Sequence, residues 1–413
     1  MGSQISIFDG KHRFLFDRPI RLIELFAGIG SQAKALKNIG ADFEHYFMCD
    51  FDKYAVKSYN AIHGTAFDTS DITKLKGGDL RINGHEEHIY LLTYSFPCTD
   101  ISIAGRRQGM AKETETRSAL LWEVERLMRE TETLPQILLM ENVPDVIGKN
   151  NIKDFRIWRD FLEGLGYKNY ISFLNARHYG VPQNRNRCFM VSLLGDYYYV
   201  FPDRLRLKKR LRDVLEQTVD DKYYLSDNVI KYYRNRREKY NGGFAFKPKT
   251  EDDIAFTITT KAGSRPIDNY IIQAGSLNRS DYRQSNVVIS PQGICTALTA
   301  AHPPNIVDPN TAYGYYTGAS DNYVLPPLKD LARTLKATMH DSGIVFQNRI
   351  RKLTPLECFR LMGFTDEDFL KCRTAGISDA QLFKQAGNSI VVNVLEEIFK
   401  TMLPFSVEPI IAE

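Results

Sequence analysis

The segment Ser95-Phe96-Pro97-Cys98 closes a strongly apolar run, Ile89 to Phe96, of the kind that forms a buried parallel strand. A cysteine placed there sits at the carboxyl edge of a sheet, where open α/β folds bind ligands. A thiol with an unperturbed pKa of about 8.5 is a nucleophile only as the thiolate and needs help from its surroundings. Pro97 stiffens the approach. Taken alone, Cys98 reads more readily as a buried structural cysteine than as a nucleophile. Met140-Glu141-Asn142-Val143 ends a second apolar run and brings Glu141 to the same edge. A partly desolvated carboxyl there can protonate or hydrogen-bond a heterocycle nitrogen, although a loop acid capping the next turn gives the same pattern. Gln183-Asn184-Arg185-Asn186-Arg187 precedes a further apolar run. Alternation puts Arg185 and Arg187 on one face, as a clamp for a carboxylate and a phosphate or as a charged strand edge.

A second constellation points to a cofactor. Phe26-Ala27-Gly28-Ile29-Gly30-Ser31 follows a short apolar run and opens a helix, and Asp50 ends the next strand, 20 residues beyond Gly30. Glycines allow a tight turn and close approach of a ligand, and an acid at that spacing can accept from ribose hydroxyls. Phe51 offers a face to a flat base, although an aromatic there is as often core. The pattern suits an adenosine-bearing cofactor without saying which one. Thr99 to Arg117 holds Gly105 and Gly109 among Arg106, Arg107, Lys112 and Arg117, and reads as a cationic lid over a phosphate backbone.

These residues need a sheet to position them, and the first half of the chain supplies its pattern. Strands are predicted at Arg21–Leu25, Phe43–Cys49, Ile89–Phe96, Gln136–Val143, Tyr170–Leu174 and Phe189–Leu194. Helices are predicted at Ser31–Ile39, Tyr54–Ile62, Ser118–Arg129 and Phe155–Leu165. Such alternation argues for a doubly wound α/β sheet. Beyond about residue 200 come short β-like pieces rich in Thr, Gly, Pro and Asn, and helical patterning returns at Thr354–Leu361 and Val392–Met402. The expected organisation is 1–199, 200–347 and 348–413, the middle part being a smaller, irregular, β-rich domain. Three pieces starting at Ala255, Ile294 and Ala332 look alike but are too few and unevenly spaced for a solenoid.

With 413 residues, 43% hydrophobic and 25% charged, the chain is not a mostly disordered one. No window has the apolar length of a membrane span, and Met1 to Lys11 lacks the apolar core of a signal peptide. Six cysteines without a C-x-x-C pair fit free thiols in a reducing, cytoplasmic setting and argue against a structural zinc site. The net charge of +4 is concentrated: Asp203 to Tyr240 holds 12 Lys and Arg against 7 Asp and Glu, leaving the remainder close to neutral. A local basic stretch suits a polyanion, or is a solvated helix face.

Six motifs in order carry a resemblance: Phe26-x-Gly28-x-Gly30, Pro97-Cys98, Glu141-Asn142-Val143, Gln183-x-Arg185-x-Arg187, Arg351-Lys352-Leu353-Thr354-Pro355-x-Glu357-Cys358 and Gln385-x-Gly387-Asn388-Ser389. In sequence and order the chain resembles the DNA (cytosine-5)-methyltransferases, over about residues 20–200 and 348–402. The resemblance implies a Rossmann-like methyltransferase sheet with a target-recognition domain in the variable basic segment. It implies S-adenosylmethionine as cofactor, held by Phe26, Ala27, Gly28 and Gly30, with Asp50 on the ribose and Phe51 on the adenine. Asp71 and Ile72 match the motif that meets the adenine amino group, Pro97 flanks the pocket, and Asn388 and Ser389 complete it from the far end of the chain. Cys98 matches the nucleophile that attacks C6 of a flipped-out cytosine, Glu141 the acid at N3 and the 4-amino group, and Arg187 the arginine at O2, with Arg185 beside it. DNA contacts are implied for Ser102, Arg106, Arg107, Gln183 and Arg185. No metal is implied. The partners expected are double-stranded DNA and a companion restriction endonuclease of the same site, with a monomeric chain in a bacterial or phage-infected cytoplasm.

The chain departs from the family where Thr99 replaces the usual Gln after Pro-Cys. Either Leu298-Thr299 or Thr334-Leu335 serves as the Thr-Leu element of the recognition domain, and about 307–346 reads as an insertion. A nicotinamide or flavin oxidoreductase would account for the glycines and Asp50 but not for Cys98, Glu141 or Gln183 to Arg187. A tRNA methyltransferase shares the architecture, but its Cys-Phe-Thr element is absent here. A catalytically idle DNA-binding protein sits poorly with Cys98, Glu141 and Arg187 all in place.

Overall fold

The computed structural model describes residues 12–98, 101, 109–111, 117–226, 228–233, 246–260, 262–265, 268–274, 288–289, 305–306 and 348–404. The chain divides into two units, Met1–Val214 with Ile254–Ala262 and Thr354–Glu413, and Leu215–Asp253 with Gly263–Leu353.

In the first unit β1 (Ile20–Leu25), β2 (Phe43–Cys49), β3 (Ile89–Tyr94), β4 (Ile137–Asn142), β5 (Tyr167–Asn175) and β6 (Asn186–Leu194) form one sheet in the order β2-β1-β3-β4-β6-β5. Every residue of β3 and β4 is buried, which is why both are continuous apolar runs without alternation. β2, β1, β3 and β4 are mutually parallel, whereas β6 runs against both of its neighbours. The reversal has a local cause. Between β5 and β6 the chain has only residues 176–185, with the turn Ala176–His178 and the short strand Gln183–Asn184, and a parallel return needs a crossover of a dozen or more residues. The sheet is therefore mixed, and the start of β6 faces the end of β4: Cys188 is opposite Asn142 and Phe189 opposite Glu141.

Helices α1 (Ser31–Asn38), α2 (Lys53–His63), α3 (Leu121–Glu130) and α4 (Ile152–Gly164) cover the sheet. Alternation along β1 assigns them to two faces. Ile23 and Leu25 pack in one core with Leu121, Val124, Trp158 and Leu162, while Glu24, in the opposite phase, meets Tyr59 of α2.

The C-terminal part forms α5 (Pro355–Arg360), α6 (Asp366–Thr374), α7 (Asp379–Asn388) and α8 (Val392–Lys400). α5 starts with a reciprocal cap: Glu357 N–H donates to Thr354 Oγ1 at 3.2 Å and Thr354 N–H donates to the Glu357 carboxylate at 2.8 Å. Thr365 and Asp368 repeat it for α6. α8 packs on α1 and α6 on α2, with Lys34 and Asp368 paired at 2.8 Å in a mostly buried bridge.

In the second unit β7 (Tyr270–Ala274) pairs antiparallel with β8 (Asn348–Lys352) beside an aromatic cluster of Tyr233, Tyr270 and Phe246. Among the described residues no helix is long and apolar enough to cross a membrane.

Glu24 is a buried acid outside the motifs. Glu24 accepts a hydrogen bond from Tyr59 Oη at 2.5 Å, and that hydroxyl lies 2.8 Å from His45 Nδ1. Burial pushes Glu24 up to about 7 and pushes His63, on the same helix as Tyr59, down to about 4. A raised folded-state pKa means the fold accepts the protonated acid: the stability it contributes is complete below its ordinary value of 4.5 and is lost as pH rises through about 7. His63 acts oppositely, its contribution being lost as pH falls toward about 4. Comparing Glu24→Gln with the parent isolates the acid. By urea unfolding the variant is expected to be more stable at pH 8, by on the order of 2–3 kcal/mol, and no more stable at pH 5. The same gap at both pH values would mean that Glu24 does not titrate there.

Candidate active site

The glycine segment leaves β1 along an unusual backbone path. Phe26, Gly28 and Gly30 have φ of 58°, 58° and 78°, all in the left-handed region. For Phe26 that conformation costs about 1–2 kcal/mol, a strain that the fixed ends of the loop must hold. At Gly30 a Cβ would lie 2.3 Å from His63 Nε2 and 2.7 Å from the Tyr59 ring, so only glycine fits. At Gly28 the same test meets nothing within 4 Å, which leaves open space over the loop. Gly28 N–H donates to Asp50 Oδ2 and Asp52 N–H donates to Asp50 Oδ1, both at 2.8 Å. Burial pushes the Asp50 carboxyl up and those two N–H groups pull it back down. Phe51 is 67% exposed, so its ring is not core. Asp71 caps the turn Ile72–Lys74 through Thr73 N–H at 3.0 Å, and Ile72 is buried.

The far end of the chain docks beside these residues. Gln385 Nε2 donates to Tyr54 O at 2.9 Å, Ser58 Oγ donates to Gln385 Oε1 at 3.0 Å, and Lys384 pairs with Asp52 at 2.6 Å. Asn388 ends α7 exposed, and Ser389 Oγ is turned back onto Gln385 O at 2.8 Å. An open loop, a part-buried carboxylate and a free aromatic face together suit a ligand with a ribose and a flat base.

Cys98 follows β3 by four residues and is partly buried. Its approach is tethered twice: Asn142 Nδ2 donates to Phe96 O at 3.0 Å and Ser118 Oγ donates to Pro97 O at 2.7 Å. Glu141, near the end of β4, is 8% exposed, and the reversed β6 delivers Arg187 to it, with Nε 3.0 Å from Oε1. Burial pushes the Cys98 thiol up, Arg187 pulls it down, and Glu141 pushes it up again. Burial likewise raises Glu141, against the pull of Arg187 and Arg185. A thiol, a carboxyl reluctant to lose its proton and a guanidinium thus lie in one electrostatic neighbourhood, equipped for nucleophilic attack on a ring whose nitrogen can take a proton.

Gln183 and Arg185 are also near this edge, but they are buried, with side chains committed to backbone groups of Ile258, Leu361, Gly387 and Ser389. Thr99, Ser102, Arg106, Arg107, Leu298-Thr299 and Thr334-Leu335 lie outside the described residues. Sequence reasoning did not single out Ser118 or Lys384: one is a serine at a helix start, the other a lysine on a polar helix, and neither type is rare enough to stand out. Among the described residues no group of three or more His, Cys, Asp or Glu could hold a metal ion.

The chain is similar to known proteins. The model of the C-5 cytosine-specific DNA methylases matches residues 20–403. The chain is 35% identical to the type II methyltransferase M.SsoII of Shigella sonnei, over 93% of this chain and 80% of that one. It is 28% identical to the orphan methyltransferase M.SPBetaI of Bacillus phage SPbeta, over 93% and 97%. Of solved structures, the Dnmt2 methyltransferase of S. pombe superposes with a TM-score of 0.60 at 17% identity, covering 93% of this chain and 98% of that one, which establishes a common fold.

Proposed function

The chain belongs to the C-5 cytosine-specific DNA methylase family, and on that premise we propose that it transfers a methyl group from S-adenosylmethionine to C5 of a cytosine flipped out of a specific duplex DNA sequence, through a covalent Cys98–C6 bond. The observation that carries this reading is the Glu141–Arg187 pair, 3.0 Å apart, within electrostatic reach of the Cys98 thiol.

The chemistry divides among the side chains. Cys98 Sγ, as thiolate, adds to C6, and the C5–C6 π electrons become a nucleophile at C5. Glu141 protonates or hydrogen-bonds N3 as negative charge builds on the ring, and Arg187 holds both Glu141 and the cytosine O2. S-adenosylmethionine, when bound, would supply the electrophilic methyl group for C5 and would leave as S-adenosylhomocysteine. A base then takes the C5 proton, the C5–C6 double bond re-forms and the thiolate leaves, so Cys98 is regenerated. The base must leave the stack because C5 and C6 are not reachable from both faces inside a duplex.

The cofactor reading is supported by the space above Gly28, by Asp50 bonded to the loop and by the exposed ring of Phe51. The duplex reading is supported by Arg204, Arg206, Lys208, Lys209 and Arg210, all exposed in one run, which can contact phosphates. Each phosphate they neutralise should add about 0.9 to the slope of log affinity against log salt. In this reading the chain acts as a monomer, either beside a restriction endonuclease cutting the same sequence or as a solitary enzyme.

The test is transfer of label from S-adenosylmethionine to unmethylated genomic DNA, with tRNA in parallel and the product base identified by mass spectrometry. 5-Methylcytosine in DNA is the expected result. Label in tRNA would keep the chemistry and overturn the substrate. No label in either, with no covalent adduct on 5-fluorocytosine duplexes of varied sequence, would overturn the enzyme reading.

A further inference from the structure

Gln183 and Arg185 grip one backbone residue from both sides. Ile258 N–H donates to Gln183 Oε1 at 2.9 Å, and Arg185 Nη1 donates to Ile258 O at 2.9 Å. The grip extends a short ladder in which Ala255 and Phe256 pair in parallel with Gln183 and Asn184. Thr257 Oγ1 adds a bond to Asn184 O at 2.8 Å. Gln183 Nε2 also donates to Leu361 O at 2.7 Å.

The second terminal nitrogen of Arg185 reaches elsewhere. Nη2 donates to Gly387 O at 3.1 Å and Ser389 O at 2.8 Å, at the C-terminus of α7. Carbonyls there have no intrahelical partner, and a cation at that end is favoured by the helix dipole. The 254–262 segment lies hard against the same helix end: a Cβ at Gly387 would fall 2.3 Å from Thr260 N. α7 is the helix whose Gln385 and Lys384 hold Tyr54, Ser58 and Asp52, next to Asp50 and Phe51. Two residues along the chain from Arg185, Arg187 pairs with Glu141.

We infer that Arg185 is a positioning residue that fastens the wall of the cofactor pocket to the strand carrying Arg187, so that cofactor site and base site are set as one piece. The inference rests on the function proposed above. Arg185 is 4% exposed, and both terminal nitrogens are spent on three carbonyls from two distant segments, a fork that a lysine ammonium cannot reproduce. Its Nε is buried and has no partner among the described residues.

Arg185→Lys and Arg185→Met test this in the full chain. Measured are S-adenosylhomocysteine affinity, DNA affinity across salt, kcat and KM, and hydrogen exchange of peptides covering 254–262 and 385–391. Both variants should exchange faster in those two peptides only, bind S-adenosylhomocysteine about tenfold more weakly, and lose kcat, with DNA affinity and its salt slope unchanged. Lysine should rescue little, since the charge is kept but the fork is lost. A salt slope lower by about one with cofactor affinity intact would make Arg185 a phosphate contact and overturn the inference. A lower melting temperature with unchanged kcat, KM and cofactor affinity would reduce it to a structural residue. If the parent itself binds no S-adenosylhomocysteine, the cofactor reading fails, while unchanged exchange in both peptides would still refute the tie.

Discussion

Cys98→Ala should abolish methyl transfer in a chain that still folds and still binds cofactor product. The sulfur is the one atom in the proposed site that forms a bond to substrate, and neither Glu141 nor Arg187 can replace it. Loss of a covalent nucleophile costs on the order of 10⁴-fold or more, with only binding and orientation left to act. The fold should tolerate the change. Cys98 is only partly buried, and its loop is held by Asn142 on Phe96 O and Ser118 on Pro97 O, neither of which involves the thiol. Stability should therefore stay within about 1 kcal/mol. The decisive measurement is a denaturing gel on 5-fluorocytosine DNA with S-adenosylmethionine: a stable adduct for the parent, none for the variant. An adduct that survives in Cys98→Ala would move the nucleophile elsewhere, and lost unfolding cooperativity would make the lost activity a folding effect.

Much of this site was legible in the sequence, for a physical reason. β3 and β4 are buried on both faces, so their apolar runs stand out and the positions at their carboxyl ends, Cys98 just beyond β3 and Glu141 near the end of β4, are sharply marked. The glycine loop was legible because Gly28 and Gly30 hold conformations that other residues take only under strain. What escaped is what depends on tertiary contact. α6 is short and polar, α7 buries only Leu382, Phe383 and Ala386 as its apolar face, and both are fixed by contacts such as Lys34 with Asp368 and Gln385 with Tyr54. The direction of β6 escaped because an apolar strand reads alike in either sense. Only the short connection before it, residues 176–185, forces the antiparallel return that sets Arg187 against Glu141. The burial of Gln183 and Arg185 escaped because alternation gives a face but not what covers it, and their partners lie more than 70 residues away.

Glu141→Gln should move two observables in opposite directions. Glu141 is buried against Arg187, and burial holds its carboxyl above the ordinary carboxylate range. In the proposed reaction it gives N3 a proton as charge develops. Glutamine keeps the shape and a hydrogen-bond donor but cannot transfer a proton, so transfer should slow by about 10²–10⁴-fold. DNA affinity should change little, since one buried side chain adds nothing to the phosphate contacts that dominate it. Cys98 should respond the other way. Its thiol is raised by burial and by Glu141, and lowered by Arg187 and Arg185. Without the carboxylate charge the two guanidiniums act on the sulfur unopposed, the thiol pKa falls, and alkylation of Cys98 by iodoacetamide at pH 7.5 should speed up, followed on its own peptide by mass spectrometry. A substitution that merely loosened the pocket would not pair faster alkylation with slower transfer. The pH profile gives a further check: a raised acid is competent below its pKa, so the parent loses rate as pH climbs past it, and Glu141→Gln should lack that limb. An unchanged transfer rate would assign the acid to another group. Unchanged alkylation would mean that Glu141 carries no negative charge next to Cys98, and that the proton it donates is already in place before the base arrives.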